Sequence, residues 1–214
     1  MKKYILAAGI SSALLLGACS GPSTEEQLDS VLKDTFDAEK DYRDTQSEME
    51  ELEKSEQEKF ETIMALTQEE QEEVKANAEE AIASVEQRLE LLETEKASMG
   101  SAEEAFQEID TVIEETEEEE LKTDLTALKT KMHDRFDAHE TFAAAYEELA
   151  AEQKELYEML VDEETELQVL QEKTVAVNEK NKEVQTAVTA FNEQTEQFNE
   201  MKNSLIEKMN ADNE

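Results

Sequence analysis

Beyond residue 22 the chain contains no proline and one glycine, Gly100. Gly and Pro are the residues that make tight turns cheaply, so a chain almost without them reverses direction rarely and favours long helices. The chain is also strongly acidic. There are 57 acidic residues against 20 basic ones, a formal charge of −37. Such a composition also suits a disordered chain, but the apolar residues here recur at helical spacing instead of being scattered.

The first predicted helix runs from about Thr24 to Leu66, with a stripe through Leu28, Val31, Leu32, Tyr42, Met49, Leu52, Phe60 and Ile63. Thr67-Gln68-Glu69-Glu70 has the spacing of a capping box. A second helix follows through Val74, Ala78, Ala81, Val85, Leu89, Leu92 and Met99. Gly100 suits the position after a helix end, and Ser101-Ala102-Glu103-Glu104 repeats the capping-box spacing, so a turn is expected near residue 100. The third helix opens at Phe106, Ile109 and Val112. Its stripe stumbles at Glu117–Glu120, where the pattern allows either a break capped by Thr116 or a continuous helix. It then continues from Leu121 to about Val161, and Asp162 is placed to cap the last helix.

That last helix carries Leu170, Val177, Val184, Phe191, Phe198 and Leu205 at intervals of seven. A sustained seven-residue period implies left-handed supercoiling on a neighbour. The companion position is mostly polar (Lys173, Lys180, Ala187, Gln194, Met201, Lys208), so the seam is narrow. Beside it Asn178, Gln185, Asn192 and Asn199 form a row of amides with the same period. Together these stripes define an all-α chain: an elongated antiparallel bundle of three to four long helices with coiled-coil-like packing.

The N-terminus reads as a leader. Lys2 and Lys3 precede a short apolar run, Tyr4 to Leu16, and Leu16-Gly17-Ala18-Cys19 resembles a bacterial lipobox. Processing there would remove residues 1–18 and leave the only cysteine, Cys19, to receive lipid. Two or more acyl chains, palmitate among them, hold a protein stably on a membrane. Residues 19–24 then form a tether, 25–210 the helical domain and 211–214 a disordered tail. The expected location is the outer face of the cell membrane.

No catalytic constellation is legible. His133 and His139 are six apart and share no helical face well, and neither has a glutamate three residues before it. No second cysteine exists for zinc, no glycine-rich loop for phosphate and no Gly-x-Ser-x-Gly elbow. The expectation is therefore no enzyme activity, no cofactor and no metal. Nucleic acid is excluded as a partner because its phosphates would be repelled. His139 lies near the core stripe, where one polar residue can fix helix register. The amide row, with Phe191, Phe198 and Tyr157 nearby, has the vocabulary of a glycan-binding surface. The alternative is that it flanks the seam and bonds to the neighbouring helix.

The stretch Lys131-Met132-His133-Asp134-Arg135-Phe136-Asp137-Ala138-His139, then Tyr146, Leu156-Tyr157, Asp162, Asn178 and Phe191 to Lys202, resembles the YkyA-like lipoproteins of Gram-positive bacteria, for which cell-wall binding is the suggested role. The likeness runs over nearly the whole chain after Cys19. It implies a helical, membrane-anchored, wall-associated protein and supplies no catalytic residues. The family pattern has aromatics where this chain has His139 and Met209, so a surface built on those aromatics is not expected here.

The reading that follows is a non-enzymatic lipoprotein acting between membrane and wall, as a binding or spacer protein. Its candidate surface is Arg135 with Asn178, Gln185, Asn192 and Asn199, and its partner is peptidoglycan or another wall component. The rival is a helical adaptor or chaperone-like protein that binds another exported protein through apolar surface left open by the narrow seam.

Overall fold

The computed structural model describes residues 21–162 and 164–212. Cys19 and the expected leader lie outside them. Among the described residues there are six α-helices, α1 (Thr24–Ala38), α2 (Lys40–Ala65), α3 (Gln71–Phe106), α4 (Ile109–Glu115), α5 (Glu119–Val161) and α6 (Leu167–Asp212), and one 3-10 turn at Gln68–Glu70. No strand occurs among the described residues. α1 and α2 follow one another as one arm and α3 and α4 as another, so the molecule is an all-α antiparallel bundle of four arms. α5 alone is about 65 Å long, and the bundle is correspondingly elongated.

Local chemistry marks the start of α1, the turn that leads into α3 and the turn before α6. Ser23 caps α1: its hydroxyl accepts from the Glu26 amide at 3.2 Å, and Glu26 accepts from the Ser23 amide at 2.8 Å. The same device stands at Thr67, whose amide and hydroxyl both reach the Glu70 carboxylate, at 2.9 and 2.8 Å. Those donors hold the Glu70 carboxyl below the usual carboxylate range, with the Thr67 amide first. Asp162 caps the α5–α6 turn, accepting from the Glu164 amide at 3.0 Å, and α6 itself begins later, at Leu167.

Four expectations are corrected. The first arm is not one helix: it breaks at Glu39. Ser98 of α3 explains the break, since its hydroxyl donates to the Ala38 carbonyl at 2.7 Å and accepts from the Tyr42 amide at 3.1 Å. It thereby satisfies groups the interruption leaves free. No turn occurs at Gly100. Met99 and Ala102 are both buried, so the core stripe runs straight through, and the Ser101 hydroxyl donates back to the Ala97 carbonyl at 3.0 Å as a helix-interior serine does. The reversal falls instead at Thr116–Glu118, which settles the question left open at Glu117–Glu120 in favour of a break. Thr116 does not cap the new helix. It is buried and its hydroxyl donates to Val112 at 2.7 Å. Finally, residues 211 and 212, expected in the tail, belong to α6.

Gly100 is thus an exposed glycine inside a helix, and a Cβ built there meets nothing within 4 Å. Gly100→Ala is expected to stabilise the fold by about 1 kcal/mol, read as a higher denaturant midpoint with an unchanged slope. An unchanged or lower midpoint would show that the helix needs glycine at this point.

The core divides into three clusters. One, at the end where α1 starts and α6 finishes, joins Leu28, Phe106, Leu125, Phe136, Phe198 and Leu205. The middle one holds Met49, Leu92, Tyr146 and Val184. The third, at the opposite end, holds Ile63, Ala78, Ala81, Val85, Ala150 and Tyr157, and it takes nothing from α6. Accordingly Leu170 and Val177 are only half-buried, whereas Val184, Phe191, Phe198 and Leu205 are buried. Lysines tie α6 to the flank of α5 along its whole length: Lys180 to Glu148 at 2.6 Å, Lys173 to Glu152 at 2.8 Å and Lys208 to Glu120 at 2.6 Å.

Three sides of the bundle are close-packed: α1–α2 on α3, α3 on α5, and α5 on α6. The fourth, between α1–α2 and α6, is wider. That side carries the groove that two cavities occupy.

Candidate functional site

Two cavities open along this groove. The one nearer the α1 start is about 270 Å³ and lies between Leu32, Phe36, Met132, Arg135 and Asn199. The other, towards the α2–α3 turn, is about 410 Å³, and Glu53, Phe60, Arg88, Tyr157, Asn178 and Asn181 line it. Between them Tyr42 and Phe191 meet edge to face, with ring centroids 6.1 Å apart, and close the floor.

Beneath the groove lie three polar layers embedded in the core. Arg135 pairs with Glu39 through both guanidinium nitrogens, one at 3.1 Å, and its Nε donates to the Thr195 hydroxyl at 3.1 Å. The next layer holds His139, whose Nε2 is 2.9 Å from one Glu95 oxygen, while the Gln46 amide donates to the other at 3.0 Å. The rings of Tyr42, Phe142 and Phe191 surround that imidazole. The third layer centres on Arg88, 1% exposed. It pairs with Glu56, donates to the Tyr146 hydroxyl at 2.8 Å and to Gln153 at 3.0 Å. The Tyr157 hydroxyl donates to Glu56 at 2.9 Å and that of Tyr146 to Glu53 at 2.7 Å.

Burial pushes the Glu56 carboxyl above its ordinary range, against the pull of Arg88 and the Tyr157 hydroxyl. Burial first, and neighbouring carboxylates next, also raise the phenols of Tyr42, Tyr146 and Tyr157. These are all the tyrosines of the chain besides Tyr4. Below pH 10 the phenols are protonated whether the chain is folded or not. Above it the unfolded chain sheds protons that the fold retains, so stability falls as pH rises from about 10. For the chain lacking residues 1–18, tyrosinate absorbance is therefore expected to appear together with loss of helicity, in one step. Gradual titration near pH 10 with helicity intact would contradict this.

The sequence-derived surface is divided by the structure. Asn178 and Asn199 stand on the rims of the two cavities, and both are exposed. Gln185 and Asn192 are exposed too, at the same heptad position between them. Arg135 is a different case. It is buried, and its charge is committed to Glu39, so it forms the floor of the groove and is no surface contact. Cys19 lies outside the described residues. Glu39, Glu56, Arg88 and Glu95 went unread as site residues, although each sits on a core stripe at a spacing of three or four.

Among the described residues no three His, Cys, Asp or Glu side chains converge on a metal-sized position, and no helix is long and apolar enough to cross a membrane.

Fold and groove together define an elongated, acidic helical bundle with polar layers in its core and one open flank. Residues 23–208 match the profile of the YkyA family, described as "Putative cell-wall binding lipoprotein", and the chain belongs to that family. It is 27% identical over 195 residues to the uncharacterized lipoprotein YkyA of Bacillus subtilis (strain 168), covering 91% of this chain and 87% of that one. The fold is shared with a conserved protein of unknown function from Staphylococcus aureus seen in a 1.6 Å crystal structure: TM-score 0.74 and 16% identity over 86% of this chain and 96% of the other.

Proposed function

We propose that the protein is an acylated, non-enzymatic lipoprotein that works between the cell membrane and the wall. Lipid on Cys19 holds one end, and the groove-bearing bundle meets a wall component such as peptidoglycan. The observation that carries this reading is the family match over residues 23–208, immediately after the lipobox-like Leu16-Gly17-Ala18-Cys19. The architecture supports it. The tether enters at the end where Ser23, Glu118 and Met209 lie together, so the far turns project away from an anchored Cys19. The strongly acidic surface keeps the rod off anionic lipid.

Fractionation of cells carrying wild type or Cys19→Ala tests both halves. Wild type is expected in the membrane fraction, and the variant is expected to stay with the wall until the wall is digested. Release of the variant directly to the medium would overturn wall binding. A variant still in the membrane after digestion would overturn the lipid anchor.

A second reading, an adaptor for another exported protein, draws on Met64 and Leu167, 66% and 70% exposed, beside the two far turns. Crosslinking in intact cells separates the two, since an adaptor gives one dominant protein partner.

A further inference from the structure

The amides along α6 form a rail on the open flank. Asn178 borders one cavity and Asn199 the other, with Gln185 and Asn192 exposed between them. Seven helical residues advance about 10.5 Å, close to the length of one disaccharide in an extended β-1,4-linked glycan. A carboxamide offers one donor face and one acceptor face, the complement of an acetamido group. An aromatic ring accompanies each cavity: Phe60 at the first, and at the second Phe36, 58% exposed, with the Arg43 guanidinium 3.7 Å from its ring centre. Within the larger cavity Asn181 and Gln57 add two more exposed amides from α6 and α2. A neutral polysaccharide is also the polymer class that a charge of −37 does not repel.

We infer that this flank is a track for a β-1,4-linked glycan strand bearing acetamido groups, read one amide per disaccharide. The inference rests on the wall-binding reading and names its ligand class. The repeat of the rail matches the repeat of the polymer, so the track needs no single deep pocket. The two cavities take acetamido groups at its ends, and Phe60 and the face of Phe36 opposite Arg43 take sugar faces.

The test is titration of the processed chain with soluble β-1,4-linked N-acetylglucosamine oligomers of increasing length. The side-chain amide NMR signals of Asn178, Gln185, Asn192 and Asn199 provide the local readout. Affinity is expected to rise at least tenfold from dimer to hexamer, and all four signals are expected to shift with the longer oligomers. The combined variant Asn178→Ala, Gln185→Ala, Asn192→Ala, Asn199→Ala alters only exposed helix positions, so it keeps its helicity, and it is expected to lose at least tenfold in hexamer affinity. The inference is overturned if affinity is independent of length, if the variant binds equally well, or if oligomers of glucose or of deacetylated glucosamine bind as tightly. Retention of the intact protein on purified whole wall, measured alongside, keeps the two readings apart. Wall retention without oligomer binding sinks the glycan track and leaves wall binding standing.

Discussion

Arg88→Met is expected to destabilise the bundle by about 3–5 kcal/mol, because it leaves the Glu56 carboxylate buried without its cation. The loss is expected to shrink to a small fraction of that in Glu56→Leu/Arg88→Met, although the double variant removes more native contacts. Two buried ions are costly to take out of water, and their attraction offsets that cost only while both are present. Arg88 is well placed to show it. The group is almost inaccessible to solvent, and its Nε has no hydrogen-bond partner, so even the native layer is incompletely satisfied. Adding Tyr157→Phe to the double variant removes the hydroxyl that the loss of Glu56 leaves unpaired, and is expected to recover more. Chemical denaturation of the four proteins is the measurement. A single-variant loss below about 1 kcal/mol, the size of an exposed pair, would mean that water reaches the layer.

Phe191→Ala is expected to cost a similar amount, about 3–5 kcal/mol. The ring fills the junction of three helices, with His139 at 5.4 Å and Tyr42 at 6.1 Å between centroids. The Arg135 guanidinium sits 5.2 Å from its centre. Truncation leaves a hole that the lysine pairs along the seam cannot close. Phe191→Leu is expected to cost less, about 1–2 kcal/mol, since most of the volume remains. Val188→Ala, three residues earlier on the more exposed face, is expected to fall within about 0.5 kcal/mol. Equal losses at 188 and 191 would mean that α6 is held by its whole length and not by this ring.

Much of the architecture was legible because it follows from period alone. The stripes through Leu28, Val85 and Leu125 are buried as their spacing implies, and the heptads of the last helix become buried from Val184 onward. The Thr67–Glu70 cap stands where its spacing placed it. What misled was local chemistry read without its tertiary setting. Gly100 and Ser101 look like a helix end, but the burial of Met99 and Ala102 outweighs a weak local preference. The break at Glu39 carries no glycine or proline, because its cause is Ser98, sixty residues away on another helix. The first cap has the same signature as Thr67–Glu70, in Ser23-x-x-Glu26. At the candidate site the amide row was visible as a repeat. The buried layers were visible only as charges on an apolar stripe: Glu56 between Leu52 and Phe60, Arg88 between Val85 and Leu92, Arg135 between Met132 and His139. Spacing says that such a residue points inward. Which partner it meets depends on the register between helices, which one chain's periodicity does not contain.

The uneven grip on the last helix gives the rod a polarity of its own. Aromatic and aliphatic side chains clamp the helix at the end where α1 starts and α6 finishes, while at the opposite end lysine–carboxylate pairs hold it over a core to which it contributes nothing. Ions weaken such pairs and leave buried hydrocarbon largely untouched. A rise in ionic strength would therefore unzip the molecule from the end that holds the α5–α6 turn, widening the mouth around Asn178 while the end that holds Leu205 stays shut.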